Sequence, residues 1–255
     1  MAKCIEDLKV VGNKLLTDDF CVIEVESDKK LPDFRPGQFV QVRVDGSPET
    51  FLRRPISIHD VDSGRNRYKM LIQVLGRGTE TIYKLKKGDY LNVIHPLGNS
   101  FSMPDGEARI LLVGGGCGIA PLLYLGKVLK TRGYIPDVLM GFRSSSRVLE
   151  IEEYSKIGEV FVTTEDGSMG EKGYVTDHSV LSSVKYDRIY CCGPDSMMKA
   201  VAEYSLRNNI FCEVSLENLM ACGFGICLCC IAETTRGNLC TCTDGPVFNI
   251  KELKW

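Results

Sequence analysis

Apolar and polar residues alternate in short runs over about the first hundred positions of the chain. Turn signals separate the runs, such as Arg35-Pro36-Gly37 and Lys87-Gly88-Asp89. Strands at this spacing are typical of an antiparallel barrel. We predict strands at 20–25, 39–44, 55–59, 69–74 and 90–94.

The pattern changes near residue 104, where a continuous apolar run at 109–113 indicates a strand buried on both faces. Strands and helices then alternate, which predicts a parallel α/β sheet. The helices are expected at 119–131, 146–154, 175–182 and 196–208, and further strands at 137–141, 159–163 and 188–191.

The last part of the chain is short, rich in Cys and Gly, and unable to form a core without a bound metal centre. The fold class is therefore a β-barrel followed by an α/β domain and a metal-binding segment. We predict three parts: an N-terminal antiparallel barrel at residues 1–103, a parallel α/β nucleotide-binding domain at 104–210, and a cluster-binding segment at 211–255.

Composition narrows the class of protein. Of 255 residues, 44% are hydrophobic and the net charge is −2, so the sequence gives no electrostatic reason to expect nucleic acid or a membrane surface as partner. The charged N-terminus lacks the apolar core of a secretory signal. We therefore expect a cytoplasmic protein.

Cysteines carry the strongest chemical signal, since seven of the twelve follow residue 211. Cys222, Cys227 and Cys230 have the spacing C-x4-C-x2-C, which a later cysteine completes as the plant-type [2Fe–2S] pattern. Spacing alone leaves Cys240 and Cys242 both open as the fourth ligand. Zinc is the alternative, with Cys227 and Cys230 as a C-x2-C half-site.

A flavin site is indicated within the predicted barrel. In Arg54-Pro55-Ile56-Ser57 a guanidinium suits a pyrophosphate, and a hydroxyl can bond the isoalloxazine edge or the ribityl chain. Gly78 and Thr79 form a turn that opens a helix, where free N–H groups favour phosphate. Each motif alone is weak, but their order ahead of an α/β domain and a cysteine cluster strengthens both.

A nucleotide site is indicated in the α/β domain by a glycine-rich loop between a buried strand and a helix. Glycines allow close approach of the backbone to a pyrophosphate; they are Gly114, Gly115, Gly116 and Gly118. A second turn, Cys192-Gly193-Pro194, follows a later strand, and Cys192 is either a contact of the nicotinamide or a buried structural thiol. Arg143 and Arg147 could hold a 2′-phosphate or be solvated.

These motifs in this order resemble the ferredoxin–NADP reductase superfamily. With the cysteine cluster and the segment Thr243-Asp244-Gly245-Pro246-Val247-Phe248, the chain is similar over nearly its whole length to electron-transfer subunits of class B dihydroorotate dehydrogenases. The resemblance implies that Cys242, which directly precedes this segment, is the fourth cluster ligand. It also implies FAD contacts from Arg54, Pro55, Ile56, Ser57, Leu71, Ile72, Gln73, Gly78 and Thr79.

The resemblance implies an oxidoreductase subunit that passes electrons between NAD(H), FAD, a [2Fe–2S] cluster and an FMN-containing catalytic subunit, in pyrimidine (UMP) biosynthesis. A complex of two of each subunit is expected, and no side chain of this chain is expected to act as a catalytic acid or base. Two alternatives remain open. One is a flavin and iron–sulfur subunit of another NAD(P)H-linked complex, of the ferredoxin–NADP reductase or sulfhydrogenase type. The other is a zinc-stabilised binding protein without turnover.

Overall fold

The computed structural model describes residues 3–255. Its N-terminal part is a closed barrel of six antiparallel strands in the order β1-β2-β5-β4-β3-β6. The predicted antiparallel barrel is confirmed, with one strand added, since β1 is a long strand that the sequence pattern did not single out. The elements are β1 (Cys4–Thr17), β2 (Phe20–Glu26), β3 (Phe39–Val42), β4 (Arg54–Asp62), β5 (Arg67–Gln73), helix α1 (Arg77–Tyr83) and β6 (Tyr90–Leu97).

Strand β3 shows how the barrel sorts its side chains. Val40 and Val42 lie in the barrel core, whereas Phe39 packs on the opposite side, in a separate apolar cluster that contains Cys230 and Cys242. Alternation of this kind follows from the two-residue period of a strand. The barrel is therefore covered on its outer face by the cysteine-rich end of the chain.

The second part is a seven-stranded sheet in the order β10-β9-β8-β7-β11-β12-β15, parallel except for β15, which runs antiparallel to β12. The predicted parallel α/β sheet is confirmed. Its elements are β7 (Ile110–Gly115), α2 (Ala120–Thr131), β8 (Asp137–Phe142), α3 (Ile151–Ser155), β9 (Val160–Thr164), β10 (Glu171–Lys172), α4 (Val180–Ser183), β11 (Arg188–Cys192), α5 (Asp195–Arg207) and β12 (Phe211–Ser215), with β15 (Val247–Asn249) near the C-terminus.

Two predicted helices are wrong in extent. The segment 146–154 is a 3₁₀ turn at Ser145–Arg147 followed by α3, and Glu150 between them takes a left-handed conformation at φ 50°. The segment 175–182 is likewise a 3₁₀ turn at Val175–Asp177 followed by the four-residue α4. The apolar spacing in these segments indicates only that one side of each segment is buried against the sheet. A 3₁₀ turn followed by a short helix buries the same residues as one continuous helix would.

No helix in residues 3–255 is both long enough and apolar enough to cross a membrane.

The C-terminal segment is built into the rest of the fold. Beyond the boundary that we predicted at residue 210, β12 and β15 join the seven-stranded sheet, and β13 (Ile231–Thr234) with β14 (Gly237–Cys240) forms a separate hairpin. Asn99, just after the barrel, holds the C-terminal segment at Asp244 and Val247 against the end of the barrel. Its Nδ2 donates to the carbonyl oxygens of Asp244 and Val247, both at 2.8 Å, and its Oδ1 accepts the N–H of Val247 at 2.9 Å.

A buried hydrogen-bonded pair, His59 and Glu150, joins the barrel to the α/β domain. His59 on β4 is 1% exposed, and its Nε2 lies 2.6 Å from Oε2 of Glu150, whose side chain is 5% exposed. The Nδ1 of the same ring lies 2.9 Å from the carbonyl oxygen of Ala120, at the start of α2. The side chain of His59 therefore ties together the two domains that border the candidate sites.

Candidate functional site

Two cysteine sulfurs form a pair in the loop between β12 and β13. The N–H of Cys222 points to Sγ of Cys227, and the N–H of Cys227 points to Sγ of Cys222, each at 3.5 Å. Phe224 donates a further N–H to Sγ of Cys222 at 3.3 Å. Burial would raise the pKa of Cys222, but these backbone donors lower it to about 6. Cys222 is thus held as the thiolate, the form that binds metal.

A second pair consists of Cys230 and Cys242, which are 2% and 0% exposed. The N–H of Cys242 points to Sγ of Cys230 at 3.4 Å, and Sγ of Cys242 accepts the N–H of Gly225 at 3.1 Å. Burial, together with the hydrogen bond to Cys230, raises the pKa of Cys242 to about 12. A bound metal ion deprotonates a coordinating thiol outright, so Cys242 is suited to coordinate a metal ion rather than to exist as a free thiolate.

The spacing of the four sulfurs bears on which metal centre they fit. Around a tetrahedral zinc with bonds of about 2.3 Å, all sulfurs would lie about 3.8 Å apart. Within the described residues, the one group of three ligand atoms that all lie within 4.8 Å of one another is Cys4, Glu6 and His95, and no three of the four cysteines qualify. Two separate pairs fit a [2Fe–2S] cluster, in which each iron takes two thiolates.

The extra cysteines lie beside this set. Sγ of Cys240 faces the carbonyl oxygen of Gly225 at 3.9 Å, and Sγ of Cys229 faces the carbonyl oxygen of Leu219 at 3.5 Å. Cys240 instead uses its backbone N–H, which donates to the Asp244 carboxylate at 2.9 Å. The thiols of Cys240 and Cys242 both lie within hydrogen-bond reach of the Cys230 side chain. Of the two, Cys242 also directs its backbone N–H at Sγ of Cys230, at 3.4 Å, and its role as the fourth ligand stays a prediction.

The predicted flavin residues come together at one end of the barrel. The Arg54 guanidinium lies against Gly78, where a Cβ would meet its Nε at 2.8 Å, so a larger residue at this position would require the arginine side chain to move. Pro55 and Ser57 pair across the ladder with Gln41 and Phe39 of β3. The remaining predicted residues are Ile56, half-buried against the barrel core, the buried Leu71 and Ile72, and the half-buried Gln73 at the end of β5.

Thr79 serves its own turn. Its Oγ1 accepts the N–H groups of Leu75 at 2.8 Å and Gly76 at 3.3 Å. These two N–H groups precede the helix, so the bonds leave the predicted phosphate contact at Gly78 and Thr79 a prediction. A threonine hydroxyl close to the start of a helix commonly satisfies local donors in this way. Thr79 therefore shapes the flavin end of the barrel by fixing the turn.

A cleft of about 960 Å³ opens at the carboxyl ends of the parallel strands. Its lining includes the predicted nucleotide residues Gly115, Gly116, Gly118, Gly193 and Pro194, and also Gln73 from the barrel. The carboxyl ends of parallel strands are where α/β sheets bind ligands. The flavin strand β5 and the nucleotide loop thus border one cavity.

Backbone geometry explains two of these glycines. A Cβ on Gly118 would overlap the carbonyl group of Cys192, and Gly116 has the left-handed φ of 53°. Gly114 is packed against Ile119, behind the lining. Cys192 is also behind it, at 7% exposure, and burial raises the pKa of its thiol. Of the two interpretations of Cys192, the structure favours the buried thiol.

Charged groups at the cleft include one that the sequence analysis missed. Arg147 is paired with Asp19 of the barrel; burial would raise the pKa of Asp19, but the hydrogen bond from Arg147 lowers it. Glu217, just after β12, also lines the cleft, and desolvation by the protein around it, aided by the charge of Asp195, raises its pKa. Residues that follow a strand of the sheet are candidates for the cleft, and Glu217 follows β12 closely. The sequence analysis missed Glu217 because it did not predict β12.

Comparisons with known proteins agree with this geometry. The family model described as the iron–sulfur cluster binding domain of dihydroorotate dehydrogenase B matches residues 217–254. The dihydroorotate dehydrogenase B (NAD(+)) electron transfer subunit of Caldanaerobacter subterraneus subsp. tengcongensis is 39% identical over 251 residues, covering 96% of each chain. That of Clostridium acetobutylicum is 39% identical over 246 residues, covering 96% of this chain and 95% of the relative.

Solved structures share the fold. One, from work on flavin-based electron bifurcation by an NADH-dependent reduced ferredoxin-NADP oxidoreductase, has a TM-score of 0.88 at 30% identity, covering 97% of this chain and 90% of the other. A ferredoxin reductase of carbazole 1,9a-dioxygenase has a TM-score of 0.71 at 20% identity, covering 82% of this chain and 67% of the other. The resemblance predicted from the sequence motifs is confirmed. The chain belongs to the family of dihydroorotate dehydrogenase B (NAD(+)) electron transfer subunits.

Proposed function

We propose that this chain carries electrons between NAD(H), FAD, a [2Fe–2S] cluster and the catalytic subunit of an NAD-dependent dihydroorotate dehydrogenase, in pyrimidine (UMP) biosynthesis. The observation that carries the proposal is the arrangement of four cysteine sulfurs as two pairs beside a barrel strand. Backbone N–H groups point at three of these sulfurs more closely than 3.5 Å, as in Gly225 to Cys242 at 3.1 Å. Donors of this kind stabilise and tune iron–sulfur centres.

The residues of this chain bind and orient the cofactors. When bound, the flavin exchanges a hydride with the nicotinamide and single electrons with the cluster. Arg54 and Ser57, with the strand of Leu71, Ile72 and Gln73, would hold FAD at the end of the barrel, and the loop from Gly114 to Gly118 with Gly193 and Pro194 would hold the nucleotide in the adjoining cleft. No side-chain acid or base is required for these steps.

The charges at the cleft support NAD over NADP. Arg147, which could otherwise bind a 2′-phosphate, is paired with Asp19. Glu165 lines the same cleft, and its carboxylate suits a ribose hydroxyl and repels a phosphate. Of the two arginines, Arg143 alone is left to bind a 2′-phosphate, because Arg147 is neutralised by Asp19. Glu165 in the same cleft would oppose that binding.

The partner would dock on the cluster loop. Leu219, Ile226 and Leu228 are 86%, 82% and 62% exposed around the cysteines, an unusual concentration of large apolar side chains on a surface. Electron transfer to a catalytic subunit that holds FMN needs a short distance, and docking on this surface would bring that subunit close to the cluster. We propose a complex of two copies of each subunit.

A second candidate rests on one comparison. The bifurcating NADH-dependent ferredoxin-NADP oxidoreductase structure shares 30% identity and a TM-score of 0.88. A flavin and iron–sulfur subunit of such a complex would have the same three sites and a different partner. Co-purification with an FMN protein that oxidises dihydroorotate supports the first candidate, and a partner with further iron–sulfur clusters supports the second.

The test of the cluster uses protein purified anaerobically and two matched variants, Cys242→Ser and Cys240→Ser. The wild type should contain about two irons and two sulfides per chain, the stoichiometry of a [2Fe–2S] centre. Cys242→Ser should lose the visible bands of the cluster, whereas Cys240→Ser should keep them. Zinc without sulfide in the wild type, or the reverse order of the two variants, would contradict the proposal.

A further inference from the structure

Gln41 on β3 is a buried amide without a partner. Its side chain is 0% exposed, and neither Nε2 nor Oε1 has a hydrogen bond to any group in the described chain. Its main-chain carbonyl, by contrast, accepts from the Arg53 guanidinium at 3.2 Å. A buried polar group left unpaired costs about 1–3 kcal/mol, and both ends of this one are unpaired.

The position of Gln41 indicates what completes it. On β3, Gln41 alternates with Val40 and Val42, which fill the barrel core, so its side chain lies on the outer face. Its neighbour on that face, Phe39, packs in the same apolar cluster as Cys230 and Cys242.

The amide meets the cluster loop directly. A Cβ on Gly223 would lie 3.2 Å from Nε2 and 3.1 Å from Cγ of Gln41. Gly223 follows the cluster cysteine Cys222 and has the left-handed φ of 73°. Across the ladder, Gln41 pairs with Pro55 of the proposed flavin strand. The carboxamide therefore lies between the strand assigned to the flavin and the loop assigned to the cluster.

We propose that Gln41 is a positioning residue whose amide N–H donates into the iron–sulfur site beside Gly223 and raises the reduction potential of the cluster. The inference rests on the proposed function, since it needs the cluster to be present. Hydrogen bonds to the sulfurs of an iron–sulfur centre stabilise its reduced, more negative form. Gln41 would thus favour transfer of an electron from the flavin to the cluster.

The chain offers a matched control. Gln38 precedes the same strand and is 5% exposed, but both ends of its amide have partners: Nε2 donates to the carbonyl oxygen of Gly98 at 3.0 Å, and Oε1 accepts the N–H of Arg35 at 2.8 Å. Gln38→Met and Gln41→Met each remove one buried amide of equal size, at positions three residues apart in the chain. Only the second change should reach the cluster.

The experiment is a redox titration of the purified FAD- and cluster-containing protein, with the cluster followed by electron paramagnetic resonance and the flavin by absorbance. In Gln41→Met, the ratio of reduced to oxidised cluster at the wild-type midpoint should fall about tenfold, which equals about 59 mV for one electron. Gln41→Glu, which replaces the donor by an acceptor of the same shape, should shift the potential in the same direction. Gln38→Met should leave it unchanged.

An unchanged cluster potential in Gln41→Glu would overturn the inference, as would equal shifts in Gln41→Met and Gln38→Met. If Gln41→Met does not load its cluster, Gln41→Glu alone decides. Failure of the proposed function has a different signature, since wild-type protein would then lack iron and sulfide altogether.

Discussion

Removal of the Glu150 carboxylate should loosen the contact between the barrel and the α/β domain. Both ring nitrogens of His59 face oxygen atoms, Glu150 Oε2 at 2.6 Å and the carbonyl of Ala120 at 2.9 Å. A carbonyl oxygen only accepts, so Nδ1 carries a hydrogen. Burial would raise the pKa of Glu150, but the hydrogen bond and charge of His59, aided by Lys14, lower it. The Glu150 carboxylate therefore accepts a charge-assisted hydrogen bond from the Nε2 side of the ring.

The magnitude follows from what Glu150→Ala leaves behind. Removing one partner of a buried ion pair costs about 3–5 kcal/mol when the other charge stays buried. The loss of one charge-assisted hydrogen bond by itself costs about 1.5–3 kcal/mol. We expect about 2–3 kcal/mol at pH 7. At about 2–4 °C per kcal/mol for a chain of this size, the melting temperature should fall by about 4–12 °C.

The assay is thermal unfolding of Glu150→Ala beside Glu152→Ala, which removes an exposed carboxylate from the next turn and should change stability by at most about 0.5 kcal/mol. Because the folded pKa of Glu150 is lowered, its contribution is complete above its ordinary value of 4.5 and is lost as the pH falls through the folded pKa. The gap between wild type and Glu150→Ala should therefore shrink below about pH 4.5. Equal melting of the two variants at pH 7 would refute the reasoning.

Three further changes test the sites. Gly118→Ala, whose methyl would overlap a backbone carbonyl, should lower the free energy of unfolding by about 3 kcal/mol and abolish tight NADH binding in calorimetry. Gly116→Ala, which meets open space, should lower it by only about 1 kcal/mol. Equal losses of stability in the two variants would contradict this. Asn99→Ala removes three side-chain hydrogen bonds, about 3 kcal/mol in total, and should speed cluster loss to a chelator, while Ser100→Ala should match the wild type. Asp19→Asn frees the arginine paired with it and should lower the KM for NADPH about tenfold in steady-state kinetics; an unchanged preference would exclude a role for that pair.

Local patterns predicted the features whose cause is local. The alternation at Val40 and Val42 indicated a barrel strand because only one face of it is buried in the barrel core. The spacing of Cys222, Cys227 and Cys230 was readable because one loop supplies all three. In each case the residues that determine the feature are neighbours in the sequence.

Contacts between distant segments were not predictable in the same way. Glu150 breaks the expected helix at 146–154 in a left-handed conformation, and its partner His59 lies 91 positions earlier. Asn99 binds a segment nearly 150 positions away, and nothing around it in the sequence differs from an ordinary turn. Glu217 follows β12, whose outer neighbour in the sheet is β15, a strand near the end of the chain. The position of Glu217 at the cleft therefore depends on a distant segment.

The order of strands in the barrel gives the order of the proposed electron path. β4 carries the Arg54–Ser57 motif and lies between β5, whose last residue Gln73 borders the nucleotide cleft, and β3, whose Phe39 packs with the cluster cysteines. Neighbouring strands are about 4.8 Å apart, so β5 and β3 are about 10 Å apart. A flavin held on β4 would thus have the nucleotide on one side and the cluster on the other. This arrangement also explains why the unpaired amide of Gln41, on β3, falls at the step from flavin to cluster.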